Sequence, residues 1–503
     1  MPPRHQTTPT VPTPMVDVEL ARRRPGAAVA VLVGPGAEAL WFGPGTDALP
    51  AGWRDWVEPT GKTGEVRTIP NGAGWLVGVG DRGPADWRAA GAGLIRSIQD
   101  FDQADTGRRP AEVDIALPQD IAPIELTMFV LGLRLGGYRF RVTADQAVPK
   151  PRQRTLRLCV DSPYEADLRT RLDRAVVLSS ATALTRDLAN MPSNVKNPAW
   201  LAAVATKAVG DVPGLTVTVR DETWLAEQGF GGVLAVGGGS VSPPRLIELT
   251  WRPPGTAKAP HLVLIGKGVT FDTGGISIKR PDGMHLMRTD MAGAAAVIAA
   301  LRGIAALNLP IRVTGLAPAA ENHMSGSAYR PGDVVRHVDG RTTEVGNTDA
   351  EGRMLLADAL GYAVRKLRPD LLVDVATLTG AMKVSLGLRT GGFFATTDEL
   401  AGRVTVAGDL GGERWWRMPL LEDHAEDVRG ERADVRQMPG GPGGIAAALF
   451  LREFTAGLPW AHLDIAGPAR ADKTYDEVVP GATGFAARTL IGVAESLAAA
   501  RPE

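Results

Sequence analysis

Between residues 266 and 279 the sequence reads GKGVTFDTGGISIK, placing Lys267, Asp272 and Lys279 on a backbone rich in glycine. Two further segments bring the same mixture of charges: MRTDMAGAA holds Asp290, and NTDAEGRM holds Asp349, Glu351 and Arg353. Each lies at the end of an apolar run, where loops beyond the carboxyl ends of strands gather in open α/β sheets. Asp272, Asp290, Asp349 and Glu351 carry the charge that balances two divalent cations, and carboxylates are the ligands hard cations accept. Two such ions ~3.5–4 Å apart share bridging carboxylates and a water. Lys267 ligates only as the neutral amine, which requires an adjacent dication to draw its pKa below the reference value of ~10.4. Lys279 and Arg353 remain as cations placed to stabilise an anion that forms during reaction. Plainer readings stay open: Asp290 as a helix N-cap, residues 349–353 as a solvated turn, Lys267 as a surface lysine. They leave the glycines unexplained. Gly266, Gly268, Gly274 and Gly275 suit a backbone that approaches something closely or takes positive φ.

Other chemistries find less support. The opening stretch lacks the Gly-x-x-x-x-Gly-Lys-Ser/Thr spacing of a nucleotide loop. GVGDRG (78–83) matches a dinucleotide fingerprint, but an ordinary strand-to-helix turn explains it better. None of the seven histidines forms His-Glu-x-x-His, and no Gly-x-Ser-x-Gly elbow occurs. SNVK (193–196) has no partner motif of the lactamase type. A single cysteine, Cys159, excludes an intramolecular disulfide and a cysteine-rich zinc site. The formal net charge of −1 argues against a protein built to coat nucleic acid or an anionic membrane. Local basic runs at 21–26 and 149–157 read as solvated edges. The start carries no signal-like apolar core, and no apolar run approaches the ~20 residues that span a bilayer. A cytoplasmic protein is expected.

The elements that must position these residues are those of two α/β regions. Residues 1–15 are proline-rich and expected to be disordered. Residues 16–162 show short apolar runs (AAVAVLV, ALWFG, GWLVGVG, VDIALP, YRFRVTA) that read as strands. They alternate with helical spacing at 84–101 and 123–137. A long amphipathic pattern at 163–194 predicts a linking helix. From 195 to 503 strands are expected at LTVTVRD, GGVLAVGGGS, RLIELTW, HLVLIGKG, IRVTGLAPA, DLLVDVATLTG and WAHLDIAG. AGAAAVIAALRGIAAL and GRMLLADALGYAVRKL read as helices between them.

GKGVTFDTGGISIK, MRTDMAGAA, NTDAEGR and WAHLDIAGPA closely resemble the leucyl (cytosol) aminopeptidase family, with DLANMPSN, ENHMSGSAYRPGDV and DVATLTGA in the family's order. The likeness runs from about 175 to 495. It implies a smaller N-terminal α/β domain and a larger C-terminal α/β catalytic domain whose mixed, mostly parallel sheet is flanked by helices. It also implies that Lys267, Asp272, Asp290 and Glu351 hold a tightly bound ion. Asp272, Asp349 and Glu351 would hold an exchangeable one, with a hydroxide between the two as nucleophile. Manganese or zinc fits these ligands. By the same resemblance Lys279 stabilises the tetrahedral intermediate, and Arg353 holds a bicarbonate that shuttles the proton. Met287, Thr377, Leu378, Gly380 and Ala482 would line the pocket for the first side chain, favouring leucine or other apolar residues. The expected partners are peptides with a free N-terminus and, in a hexamer, other copies of the chain. Two alternatives remain: another two-metal hydrolase such as a phosphoesterase, and an added DNA-binding role.

Overall fold

The structure, a computed structural model, describes residues 11–37, 39–103, 112–142, 155–160 and 165–500. Most of the expected disordered tail, and residues 149–154 of one basic run, lie outside these residues. The chain divides into two compact units, one of residues 1–183 with 472–480, the other of 184–471 with 481–503.

The first unit is built on strands β1 (Asp17–Ala21), β2 (Ala28–Pro35), β3 (Leu40–Phe42), β4 (Val66–Ile69), β5 (Gly74–Gly78), β6 (Glu112–Ala116) and β7 (Thr155–Cys159). Their order is β1-β7-β6-β2-β5-β4, with β3 beside β2. Only β3 and β4 run antiparallel to their neighbours. Residues 28–34 of β2 are all buried, as expected of a strand covered on both faces. The fingerprint-like turn at 78–83 leads into the helix Pro84–Gln103, and the N–H groups of Gly78, Val79, Gly80, Arg82 and Gly83 are spent within the chain. Asp86 accepts from the Gly83 N–H at 3.0 Å and from Thr63 Oγ1 at 2.6 Å. The segment 472–480 joins this unit through Glu477, whose buried carboxylate lies 2.7 Å from Arg88 Nε.

The second unit holds β8 (Leu215–Arg220), β9 (Arg245–Trp251), β10 (His261–Gly266), β11 (Gly268–Asp272) and β12 (Arg312–Asn322). A small sheet combines β13 (Val334–Arg336) and β14 (Thr342–Glu344) with a later strand. Then follow β15 (Leu371–Ala376), β16 (Thr390–Ala395), β17 (Arg414–Arg417), β18 (Val435–Arg436, the later strand of the small sheet) and β19 (Trp460–Asp464). The main sheet has the order β17-β16-β19-β15-β10-β12-β9-β8, with β11 paired to β12. Its central four strands, β19-β15-β10-β12, are parallel, while β9, β8 and β16 enter antiparallel. The molecule is thus α/β, with a mixed, mostly parallel sheet in the larger unit. The helix Ala292–Ala306 lies wholly in the core for most of its length, because its alanines and glycines let it settle against the sheet.

Three readings from the sequence are corrected. GGVLAVGGGS forms the helix Gly231–Gly237, not a strand: a short apolar run has no periodicity to separate the two states, and here it packs on the helix Glu351–Tyr362. YRFRVTA forms no strand over residues 138–142; residues 143 and 144 are outside the described residues. The stretch Met284–Ala306 is long and apolar enough to cross a bilayer, but 89% of its apolar window is buried inside the protein, as in a core helix.

Candidate metal centre

The carboxyl ends of β10, β11, β12 and β15 converge on one cluster. Lys267 is the single residue between β10 and β11. Its N–H donates to Val375 C=O at 3.0 Å and its own carbonyl accepts from Ala294 N–H at 2.9 Å, so the backbone is fixed on both sides. Its Nζ reaches Asp290 Oδ1 at 2.9 Å, Glu351 Oε1 at 2.7 Å and Thr377 C=O at 3.0 Å. Asp290 does not cap the helix that follows it, since that N-cap is Met291. Its carboxylate instead accepts from Thr377 Oγ1 at 2.7 Å.

Asp272 ends β11. Its Oδ1 accepts from Gly274 N–H and Asn322 Nδ2, both at 2.8 Å, and Oδ2 lies 2.7 Å from Lys279 Nζ. Lys279 also lies 2.5 Å from Asp349 Oδ1. Gly274 takes φ +88°, and a Cβ there would stand 3.1 Å from that same oxygen. Glu351 opens the helix Glu351–Tyr362, and Arg353 follows within its first turn. Neither is part of a solvated turn: both are buried, as are Asp272, Asp290 and Lys267. All seven charged residues singled out in the sequence thus belong to one neighbourhood.

Oxygens of Asp272, Asp290 and Glu351 come within 4.8 Å of one another. Four carboxylates, counting Asp349, face two ammonium groups, so the buried charge is negative in excess. Burial raises the pKa of Asp272, Asp290 and Asp349, and repulsion adds to the rise, from Glu351 on Asp272 and Asp290 and from Asp272 on Asp290 and Asp349. Burial alone would push the Lys267 ammonium toward neutrality, but Asp290, Glu351 and Asp272 outweigh it and raise its pKa. Lys279 is raised in the same way, chiefly by Asp272. Among the described residues, Asp290 Oδ2, Asp349 Oδ1 and Glu351 Oε1 face only these ammonium groups and accept from no other donor. Buried carboxylate oxygens with spare lone pairs and uncompensated charge are what divalent cations need. The residues present fit such ions.

Arg353 differs from the lysines. Burial lowers its pKa to about 10, which still leaves it charged at neutral pH. Nη1 donates to the Gln437 carbonyl at 2.5 Å, while the buried Nε has no hydrogen-bond partner.

The residues expected to line a specificity pocket fall in separate elements. Met287 is half-buried in the 3-10 helix Met284–Thr289 that delivers Asp290. Thr377 and Leu378 follow β15, and Gly380 begins the helix Gly380–Leu386 with open space where a Cβ would be. Ala482 is buried in the short strand Gly481–Ala482, its N–H donated to Asn190 Oδ1 at 2.9 Å.

Sequence reading missed the polar residues that orient this set. Asn322, at the end of β12, holds Asp272 and also donates to Thr348 C=O at 3.0 Å. Asp464, at the end of β19, accepts from the Leu378 and Thr379 N–H groups at 3.3 and 3.0 Å and from Thr379 Oγ1 at 2.7 Å. The only signal for either was a polar residue closing an apolar strand.

Gly352 is required by close approach. A Cβ at this position would lie 2.5 Å from Lys267 Cε and 2.8 Å from its Nζ. The atoms it would displace are the end of a flexible side chain, so Gly352→Ala should cost little fold stability while moving Nζ off Glu351 and Asp290. The expected outcome is a melting temperature close to wild type with manganese affinity weakened on the order of tenfold or more. Thermal melts beside metal titration check it, and unchanged metal affinity would show that the Lys267 position is not critical.

The sequence profile of the cytosol aminopeptidase family's catalytic domain matches residues 183–491. The chain belongs to the cytosol aminopeptidase family. It is 40% identical over 449 residues to the probable cytosol aminopeptidase of Syntrophotalea carbinolica, spanning 86% of this chain and 89% of that one. With the probable cytosol aminopeptidase of Roseiflexus castenholzii it shares 46% over 364 residues, 72% of this chain and 74% of that one. Among solved structures, the bottromycin maturation enzyme BotP in complex with Mn superposes with a TM-score of 0.81 at 38% identity, over 94% of this chain and 100% of that chain. Family membership makes the protein an aminopeptidase of the metallo-exopeptidase class and selects the peptidase over the phosphoesterase reading.

Proposed function

We propose that the protein removes the N-terminal residue from peptides with a free α-amino group, leucine or another apolar residue preferred, using two divalent ions. The observation that carries this reading is the surplus of clustered carboxylates over ammonium groups, with Asp290 Oδ2, Asp349 Oδ1 and Glu351 Oε1 each facing only an ammonium among the described residues. Lys267, Asp272, Asp290 and Glu351 would hold one ion, and Asp272, Asp349 and Glu351 the other. When bound, the ions supply an activated water, a Lewis acid for the scissile carbonyl and a coordination position that suits an unblocked amine. Manganese is favoured over zinc by an oxygen-rich ligand set and by its presence in the BotP structure.

The chain's own residues do the rest. Lys279 offers an ammonium to the oxygen on which negative charge grows as the carbonyl is attacked. Its side chain is 21% exposed, against 4% for Lys267, so it is the ammonium substrate can reach. Arg353, with its idle Nε, holds an anion beside the carboxylates; bicarbonate fits, and would carry the proton from nucleophile to leaving amine. Thr377, Leu378 and Gly380 present backbone to the substrate, with Met287 and Ala482 as pocket walls. The small Ala482 leaves room beyond a leucine side chain, and one methylene of fit is worth only ~1–3 kcal/mol. A cytoplasmic location is in keeping with the relatives' names, and a hexamer, proposed on resemblance, is checked by native mass.

The deciding experiment compares leucinamide with N-acetyl-leucinamide before and after exhaustive chelation. Hydrolysis of the free amine alone, lost on chelation and restored by manganese, is expected. Equal cleavage of the blocked substrate, or indifference to chelation, would refute the proposal.

A further inference from the structure

Gln437 follows β18 in the segment VRQMPGG, and it is completely buried. Its side-chain hydrogen bonds all go to one loop. Oε1 accepts from the N–H groups of Gly346 at 3.1 Å and Asn347 at 3.0 Å, using both of its lone pairs. Nε2 donates to the Ala350 carbonyl at 3.0 Å. The backbone takes part too: the Gln437 carbonyl accepts from Arg353 Nη1 at 2.5 Å, and its N–H donates to Glu344 C=O at 2.9 Å.

These contacts bracket Asp349 and Glu351 on both sides and end on Arg353. Residues 346–350 are irregular, mostly part-buried backbone between β14 and the helix Glu351–Tyr362, so their N–H and C=O groups have no ladder of their own. The Gln437 amide takes the place of one, offering two acceptor directions and a donor from one rigid plane. The other carboxylates are held elsewhere. Asp290 depends on Lys267 and Thr377, and Asp272 on Asn322 and Gly274.

We propose that Gln437 is a positioning residue that fixes the loop 346–353, and through it the ion that relies on Asp349, while touching neither ion nor substrate. The inference rests on the two-ion reading above. It separates the two ions by degree: loosening this loop weakens most the one that needs Asp349, and less the one that Glu351 shares with Asp290 and Lys267, since those two are held from other segments.

The test measures manganese stoichiometry and affinity on the full chain, wild type first. Two classes of ion per chain are expected; one or none would refute the two-ion reading and leave the fault there rather than with Gln437. In Gln437→Met the weaker class should lose ~10–100-fold in affinity while the tighter class, which shares only Glu351 with this loop, changes far less. Turnover should fall with it and return when manganese is raised, a rescue that a misfolded site would not show. Gln437→Glu keeps the acceptor for Gly346 and Asn347 but faces the Ala350 carbonyl with a second oxygen, so a smaller loss is expected. Being isosteric, it carries the same test should the methionine variant not fold by near-UV circular dichroism. Wild-type affinities in a folded variant, or equal weakening of both classes, would overturn the assignment.

Discussion

Lys279→Met is expected to lower kcat on an aminoacyl amide by ~10²–10³-fold, the usual effect of removing one donor aimed at a developing oxyanion. The ammonium lies against Asp272 Oδ2 and Asp349 Oδ1, so in the protein alone it serves as counter-charge to two proposed metal ligands. That double role sets the sign of the second readout. Taking the lysine away removes a cation that competes for those oxygens, so both ions should be retained, with affinity equal to wild type or higher. KM should move far less than kcat, because the interaction matters most where charge develops. Elemental analysis beside steady-state kinetics checks both expectations. Full activity in the variant would remove Lys279 from catalysis; loss of metal together with activity would make it a structural part of the centre.

The sequence revealed the charges of the site more fully than their support, and the reason is physical. Lys267, Asp272, Asp290, Asp349 and Glu351 stand out because acids and lysines among glycines at the ends of apolar strands conflict with any ordinary core or surface. Asn322, Gln437 and Asp464 carry no such conflict. Each acts through neutral or backbone hydrogen bonds to segments distant in sequence, as Gln437 does to Gly346 and Asn347. Spacing along the chain contains nothing about such contacts. The fold follows the same division. β10 and β12 were legible as apolar runs, and the helix 292–306 as a continuous small-residue pattern. The run at 231–240 was not, since seven helical residues rich in glycine and valine look like a buried strand until the neighbouring helix is known. The attachment of 472–480 to the first unit runs through Arg88 with Glu477 and Asp476 and through Arg96 with the carbonyls of Asp476 and Val478, pairings that no local pattern announces.

Metal loading should become tighter with pH by about tenfold per unit for each proton displaced, through the range where histidine-based sites have levelled off. Three buried carboxylates hold the proton of Lys267 more firmly than water does, and a dication can use that nitrogen only after the proton has gone. The sign follows directly. A raised pKa means the amine is protonated across the neutral range, so cation and proton compete and affinity falls as pH falls. The gain with rising pH continues until the amine deprotonates without help, above the reference lysine value. Ordinary carboxylate ligands, ionised above pH ~4, would give a flat profile there, and histidine ligands would flatten above ~6.5. Burial also raises the carboxyl groups of Asp272 and Asp290, so the displaced proton belongs to the cluster rather than to one atom. Lys267→Met separates the contributions, since any slope that survives the substitution comes from the acids. Competitive manganese titration against a calibrated chelator between about pH 6 and pH 9, with proton release measured in two buffers of different ionisation enthalpy, supplies the readout. An affinity independent of pH over that interval would exclude Lys267 as a ligand and leave the carboxylates to hold the ions alone.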